Sequence, residues 1–482
     1  LKHKIIVWFR QDLRLLDNPA MYEASQDGVI IPVYIKEDQI GSASAWWLDL
    51  SLRSFKEKLD SLGANLILKK GNPHQVLKEL ASRTGATAVY FNNRYEPHHL
   101  ENDKILITEL KEHGVHVNTF HTNLLFEPGS IRNKQGNPYK VFTSFWKTCK
   151  QIPVQAPLPV PANINWDENK IESCKLEELE LVSATNWHQK LEQYWEPGED
   201  ATLKKWRTFA EVDIHDYLTY RNDPVLDATS LLSPHLAFGE ISPRLIWHES
   251  KELEELSEIE NLNEEQQESV EGFLRQLVWR DFAYHQLVDF PHIVDKPLQQ
   301  AYLSFPWNKV EEDTLEAWKK GQTGYPLIDA GMRELWETGW MHNRVRMVVG
   351  SFLVKHLLYH WKEGSAWFED TLVDADLANN TMGWQWVAGT GFDSSPFFRI
   401  FNPIKQAERF DPDGTYIKKW LPELRLLPGK YLVEPWKAPT EILENANIKI
   451  GVDYPEPIVE HDFARKRALS AYQQMKEENK NA

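Results

Sequence analysis

Cysteine is almost missing from this 482-residue chain, which has only Cys149 and Cys174. Two thiols cannot supply the four thiolates of an iron–sulfur cluster. They could pair with each other, but free thiols in a reducing compartment are the expectation. No stretch of about 18 consecutive apolar residues occurs, so no membrane-spanning helix is expected. The opening stretch, LKHKIIVWFRQDLRLLDN, meets charge too early for a secretory signal, and a cytoplasmic protein is expected. Metal-ligand spacing is missing too. His98 and His99 are adjacent in EPHHLEND, diverge on a helix, and read as surface polarity, so no metal is expected. The sequence has no G-x-G-x-x-G, which excludes an ordinary dinucleotide fingerprint. Positive charge is in short supply: 54 Lys and Arg face 71 Asp and Glu, a net charge of −17. That opposes nucleic-acid binding driven by bulk charge and leaves room only for a local basic face.

What is present divides along the chain. The length suggests two or three domains. Hydrophobic content of 42% with 26% charged residues is ordinary for a soluble protein. Short β-rich runs occur at 4–9, 29–35, 64–71, 88–93 and 115–120, with amphipathic stretches between them. This is the rhythm of a doubly wound parallel sheet. QIPVQAPLPVPANINWDEN (151–169) is Pro-rich and non-periodic, an extended connector. From about 196 onward helical periodicity takes over. In EGFLRQLVWRDFAYHQLV, Phe273, Leu274, Leu277, Val278 and Phe282 share one face. The acidic run 250–269 reads as a solvated helix face or loop. The expected fold is thus α/β over 1–128, a linker over 129–195 and a larger all-α domain over 196–482.

Tryptophan is abundant, with 20 in the chain. NNTMGWQWVAG sets Trp384 and Trp386 two apart, and such residues point to nearly opposite sides of a helix. One indole can look inward and the other into a cavity. On the helix around 276–283, Gln276 and Trp279 lie opposite the apolar face, a pairing that suits stacking on a flat ligand or a plain amphipathic surface. Asn343 and Met347 share a helix face, as would a cap and a filler. DATSLLSP brings Thr229, Ser230 and Ser233 to a helix start, where hydroxyls and N–H groups cap the helix or hold phosphate. DADLANN sets two carboxylates before paired amides, which alone indicates a polar turn.

Together, VWFRQDLRLLDNPAM, TSLLSPHLAFGEISP, WRDF, KKGQTGYPLIDAGMRELWETGWMHNRVRM, DADLANNTMGWQW and FFRIFNP resemble the photolyase/cryptochrome family over almost the whole chain. The resemblance implies an α/β antenna domain, a linker and a helical domain that binds flavin adenine dinucleotide (FAD). It implies light-driven repair of cyclobutane pyrimidine dimers in DNA by an electron from excited, reduced FAD. Tyr217, Thr229, Ser230, Leu231, Leu232, Ser233, Arg280, Arg346, Asp374, Asp376 and Asn380 match the FAD-binding positions, with Asn380 facing the ring atom N5. Trp384, Trp361 and Trp307 match the chain of tryptophans that re-reduces the flavin. Trp386 and Trp279 match the indoles facing the lesion cavity, joined there by Gln276, Asn343 and Met347.

Within the family, the branch that repairs six-four photoproducts needs histidines where this chain has Asn343 and Met347, and neither is a general acid near neutral pH. Plant cryptochromes carry Asp at the position of Asn380. The two cysteines rule out the iron–sulfur branch. Gln276 stands where dimer photolyases often have Glu, so the charge-assisted bond to the lesion is lost. SAWWLDLSL resembles the plant-cryptochrome-like class III photolyases, in which a Trp stacks on methenyltetrahydrofolate. Trp46 and Trp47 are the candidates here, with a deazaflavin or an empty site as alternatives. Arg221, Arg344 and Arg399 match DNA-backbone positions, with Lys405 nearby. The expected partner is UV-damaged DNA, with no membrane and a monomeric protein. The competing reading is a cryptochrome-type blue-light photoreceptor without repair activity.

Overall fold

The computed structural model describes residues 3–37, 40–182, 186–259 and 263–481. Five of the β-rich runs form parallel strands: β1 (Lys4–Phe9), β2 (Val29–Lys36), β3 (Ile67–Lys70), β4 (Ala88–Asn92) and β5 (His116–Phe120). Their order is β3-β2-β1-β4-β5. Ile5 of β1 pairs with Ile30 on one side and Ala88 on the other. The sheet is doubly wound, and the order reverses between β1 and β4. Ile6, Trp8, Ile31, Val33, Val89 and Phe91 sit in one core with Leu77, Leu80, Leu106 and Leu110 of the flanking helices. Burial of both sheet faces explains why the strands read as nearly continuous apolar runs. The connector is not wholly irregular: β6 (Asn165–Trp166) pairs with Val29 and Ile30 of β2.

Two compact units make up the chain, each from separate segments. The first is Leu1–Tyr217, Ser230–Pro291 and Val373–Ala378; the second is Leu218–Thr229, His292–Leu372 and Asn379–Ala482. Composition alone breaks the chain at the Pro-rich stretch. Packing draws the units from long-range contacts, so the short 373–378 segment returns to the first.

In the first unit the RQDLRLLDN stretch acts as a set of staples. Arg10 grips Asp103 with both terminal nitrogens at 2.9 Å. Arg14 is fully buried and donates to the carbonyls of Leu16, Asp17 and Gly239. Arg244 holds Asp17 through Nε (2.9 Å) and Nη2 (2.6 Å), both side chains being enclosed. Gly239 has φ +63°, and a Cβ there would meet the Gln11 backbone, so only glycine lets the two segments touch.

The long helix Glu264–Asp289 begins with a capping box, Asn263 and Gln266 bonding each other's backbone N–H. Its apolar face, from Phe273 to Phe282, is buried as its periodicity requires. The acidic run lies on Pro243–Ile259 and the start of this helix, with residues 260–262 outside the described set. In the second unit the described residues carry no strand, only an isolated bridge between Ile450 and Tyr454. Cys149 and Cys174 are free. His99 corrects the surface reading: it is buried, its ring lies 3.9 Å from that of His98, and burial with Arg94 nearby pulls its pKa down to about 2.

Candidate functional site

In the first unit, the polar face of the long helix carries three of the expected residues. Gln276 returns its amide N–H to the Gly272 carbonyl at 3.0 Å. Trp279 stacks face to face on Phe142, with ring centres 3.6 Å apart and planes within 9°. Phe142 is a neighbour that sequence reasoning missed. Arg280 donates to the carbonyls of Asn123 and Leu236 and lies over the Tyr284 ring. One turn on, the Tyr284 hydroxyl donates to Asp376. Ser233 donates to Asp374 at 2.6 Å. The DADLANN carboxylates are therefore bound partners of the TSLLSP segment and the long helix, not free turn residues. Leu231 takes a left-handed φ of 51°, and Leu232 is buried behind it. Tyr217 packs against Phe209 and Phe273.

The second unit holds the tryptophans. Trp384 is 3% exposed, edge-on to Phe368 (5.0 Å) and Trp318 (6.3 Å). Gly364 makes room for it, since a Cβ there would drive into the indole. Trp386 is half-buried, and its carbonyl accepts from the Ser395 N–H at 3.2 Å. The two indoles thus differ in environment, as their spacing requires. Trp361 is buried and Trp307 half-buried. His360 lies between them, 5.4 Å from Trp307 and 5.2 Å from Trp361, a link that the sequence did not reveal. Asn380 spends its amide N–H groups on the Ser365 carbonyl (3.0 Å) and hydroxyl (3.2 Å) and on Glu369 (3.3 Å). Its side-chain oxygen has no hydrogen-bond partner among the described residues. Thr229 belongs to this unit, as does Arg346, which donates to the Met341 carbonyl at 2.6 Å.

The same unit gathers cations. The helix Asn343–Ser351 is capped by His342, whose ring accepts from the Arg344 N–H. Asn343 is exposed at its start and Met347 half-buried one turn on. Arg344 donates to Asn222 at 2.6 Å and lies 4.5 Å over the Phe410 ring. Burial first, then the like charges of Arg221, Arg409 and Arg399, push its pKa down. Among the described residues Arg344, Arg399 and Arg409 pair with no carboxylate; rings of Phe410 and Phe401 lie beneath them. Arg409, whose charge acts on Arg344, was not singled out by the sequence. Lys405, expected nearby, pairs with Glu408 at 2.7 Å. Phe398, beside Arg399, is 60% exposed.

Trp46 and Trp47 are both enclosed. The Trp47 indole N–H donates to Glu240 at 3.1 Å, and its ring meets Trp195, His235 and Phe238. Neither ring offers an open face for stacking. Among the described residues no cluster of His, Cys, Asp and Glu could hold a metal, and no helix is long and apolar enough to cross a membrane.

The structure joins a parallel doubly wound sheet to a tryptophan-rich helical region with an arginine cluster, and comparison with known proteins identifies the class this combination belongs to. The family described as DNA photolyase matches residues 5–162, and the FAD binding domain of DNA photolyase matches residues 273–474. The deoxyribodipyrimidine photo-lyase of Agrobacterium fabrum is 43% identical over 482 residues, covering 98% of each chain. Cryptochrome-2 of Arabidopsis thaliana is 38% identical and covers 98% of this chain and 79% of that one. A crystal structure of a bacterial class III photolyase from Agrobacterium tumefaciens matches with a TM-score of 0.95 at 43% identity, over 99% of this chain and 98% of that one. The chain belongs to the photolyase/cryptochrome family.

Proposed function

We propose that this protein is a light-driven deoxyribodipyrimidine photo-lyase that binds UV-damaged DNA as a monomer in the cytoplasm and splits cyclobutane pyrimidine dimers. The observation that carries the reading is the arginine cluster. In a chain of net charge −17, Arg344, Arg399 and Arg409 have no carboxylate partner among the described residues, and the charges of Arg399 and Arg409 act electrostatically on Arg344. Cations left unpaired on an acidic protein suit a polyanion. A photoreceptor that repairs nothing has no need of them, and that reading is not favoured.

The side chains present suit FAD. Arg280, Arg346 and the hydroxyls of Thr229, Ser230 and Ser233 are donors of the kind that hold a pyrophosphate, and Asp374 and Asp376 are acceptors for hydroxyl and ring N–H groups. Bound FAD would supply the low-potential electron that no side chain can. Around it, the protein's residues divide the work. Arg221, Arg344, Arg399 and Arg409 hold DNA phosphates, which positions the duplex without reading its sequence. Trp386 and Trp279 stack on the flipped-out lesion, which costs less to unstack than an intact pair. Gln276 hydrogen-bonds its edge. Neither Asn343 nor Met347 delivers a proton there, which suits dimer splitting. Trp384, Trp361 and Trp307 pass electrons inward from the half-buried end. Asn380 offers its amide oxygen towards the flavin, its N–H groups being committed elsewhere.

The second chromophore, methenyltetrahydrofolate beside Trp46 and Trp47, rests on the resemblance to class III photolyases alone. Binding there requires the enclosing side chains to move. The test of function is direct. Purified protein with reduced FAD is mixed with an oligonucleotide containing one thymine dimer and placed under blue light. Loss of the dimer in the light and not in the dark is expected. Unchanged dimer content with FAD bound and reduced would leave the photoreceptor reading in its place.

A further inference from the structure

Lys355 is a lysine where the packing leaves almost no room for a charge. It lies in the π-helical turn Phe352–His356 and is 1% exposed. Such turns interrupt the regular hydrogen-bond ladder and are frequent at functional sites. No carboxylate pairs with it among the described residues. Its Nζ donates to the backbone carbonyl of Arg399 at 2.9 Å and sits 5.5 Å from the centre of the Phe397 ring. Burial, reinforced by the like charge of Arg399, brings its pKa down to about 7. The same turn ends in His356, which meets His461 and Arg467 of the helix His461–Asn481; none of these is an anion. A buried ammonium without an anion is costly, so its retention calls for a reason.

The segment it holds supplies one. Residues 395–400 begin on the Trp386 carbonyl, through the Ser395 N–H. Phe397 is buried, Phe398 and Arg399 project outward, and the Arg399 N–H closes on the Pro396 carbonyl at 2.9 Å. Between its first residue and Arg399, the described side-chain tie to this segment from the π-helical turn is Lys355.

We propose that Lys355 is a positioning residue for DNA binding: it fixes segment 395–400 so that Phe398 and Arg399 meet the duplex, and it takes up a proton as the phosphates arrive. The proposal rests on the DNA-repair reading above. A phosphate brought near an amine favours the ammonium form. Affinity is therefore full at pH values below 7 and falls as pH rises through the pKa of the bound state. The ammonium also makes the stronger, charge-assisted bond to the Arg399 carbonyl. A shift of about one pKa unit corresponds to roughly a tenfold change in Kd between pH 6 and pH 9. His342, at about 4, and His356, at about 3, titrate below that window.

The test uses the FAD-loaded protein and a dimer-containing duplex. Binding is followed by fluorescence anisotropy from pH 6 to pH 9. Proton uptake is measured by calorimetry in two buffers of different ionisation enthalpy. Wild type is expected to lose about tenfold in affinity across the range and to absorb protons at pH 7.5. Lys355→Arg, which keeps its charge, is expected to hold the pH 6 affinity at pH 9 and to absorb none. Lys355→Met is expected to bind about tenfold more weakly at pH 6.5 with a flat profile, while its flavin absorbance and photoreduction stay normal. Wild-type binding that is flat with pH and free of proton uptake overturns the proposal even if the Met variant fails to fold. So does proton uptake that persists in Lys355→Arg. Absence of DNA binding at every pH sinks the repair reading and the proposal with it.

Discussion

Two sets of arginines, one from each unit, are held in opposite ways. In the first, Arg10, Arg14 and Arg244 are buried, and each ends on a carboxylate, a carbonyl or both. In the second set, Arg344, Arg399 and Arg409 lie over aromatic rings, and among the described residues no carboxylate pairs with them. Satisfied cations hold a fold together; unsatisfied ones wait for a ligand. On the proposed reading, this difference marks the DNA-binding face where a count of basic residues, at a net charge of −17, does not.

Removing an anion from the first set is expected to give the largest effect on stability. Asp17→Ala strands Arg244 in the interior, and losing one partner of a buried pair costs about 3–5 kcal/mol. Chemical denaturation should show that loss, while any protein that remains folded binds DNA with an unchanged salt response. A loss below about 1 kcal/mol would mean that the staple is relieved by water and that the contrast between the units is overdrawn.

A similar split, between enclosed and open, separates the two tryptophans. Trp384→Phe is expected to abolish photoreduction of oxidised FAD while leaving repair by chemically pre-reduced enzyme nearly intact, because a phenyl ring is much harder to oxidise. Normal photoreduction would show that electrons enter elsewhere. Trp386→Ala is expected to do the reverse. Base–aromatic stacking is worth roughly 1–3 kcal/mol, so lesion affinity falls about 5- to 150-fold with FAD still bound. Unchanged affinity in a gel-shift assay would remove Trp386 from the lesion pocket.

The smallest effect sharpens the contrast most. Arg409→Ala is expected to lower the salt dependence of DNA binding by about one phosphate contact. Lys405→Ala, four residues away, is expected to do almost nothing, because its exposed ammonium is already shared with Glu408. Equal losses from both would mean that pairing within the protein does not decide which cations reach DNA.

Much of this was legible in the sequence, and the exceptions have physical reasons. The five main strands stand where β-branched and aromatic runs stand, because a parallel sheet covered on both faces needs them. The apolar face of Glu264–Asp289 follows from its spacing alone. The motifs named Trp307, Trp361, Trp384 and Trp386, but not His360 between the first two, since ring proximity is a property of the folded chain. Arg409 escaped because having no partner cannot be read from composition. Trp46 and Trp47 lie on one helix with Ser44 and Asp49, and nothing local shows that both indoles are enclosed. His98 and His99 read alike in the polar stretch EPHHLEND, yet on the helix they diverge, so His98 is exposed and His99 buried. Lys355 did carry a signal, a lone charge inside SFLVKHLL, of the kind that marks either a snorkelling lysine or a buried one.

The measurement that tests the contrast most directly is a salt titration of the wild-type protein against dimer-containing DNA. With four arginines on the backbone, log K should fall with log salt at a slope of about −3 to −4, despite the net charge of −17. A flat or rising response would show that these arginines do not meet phosphates, and the assignment of the second unit to DNA binding would fall.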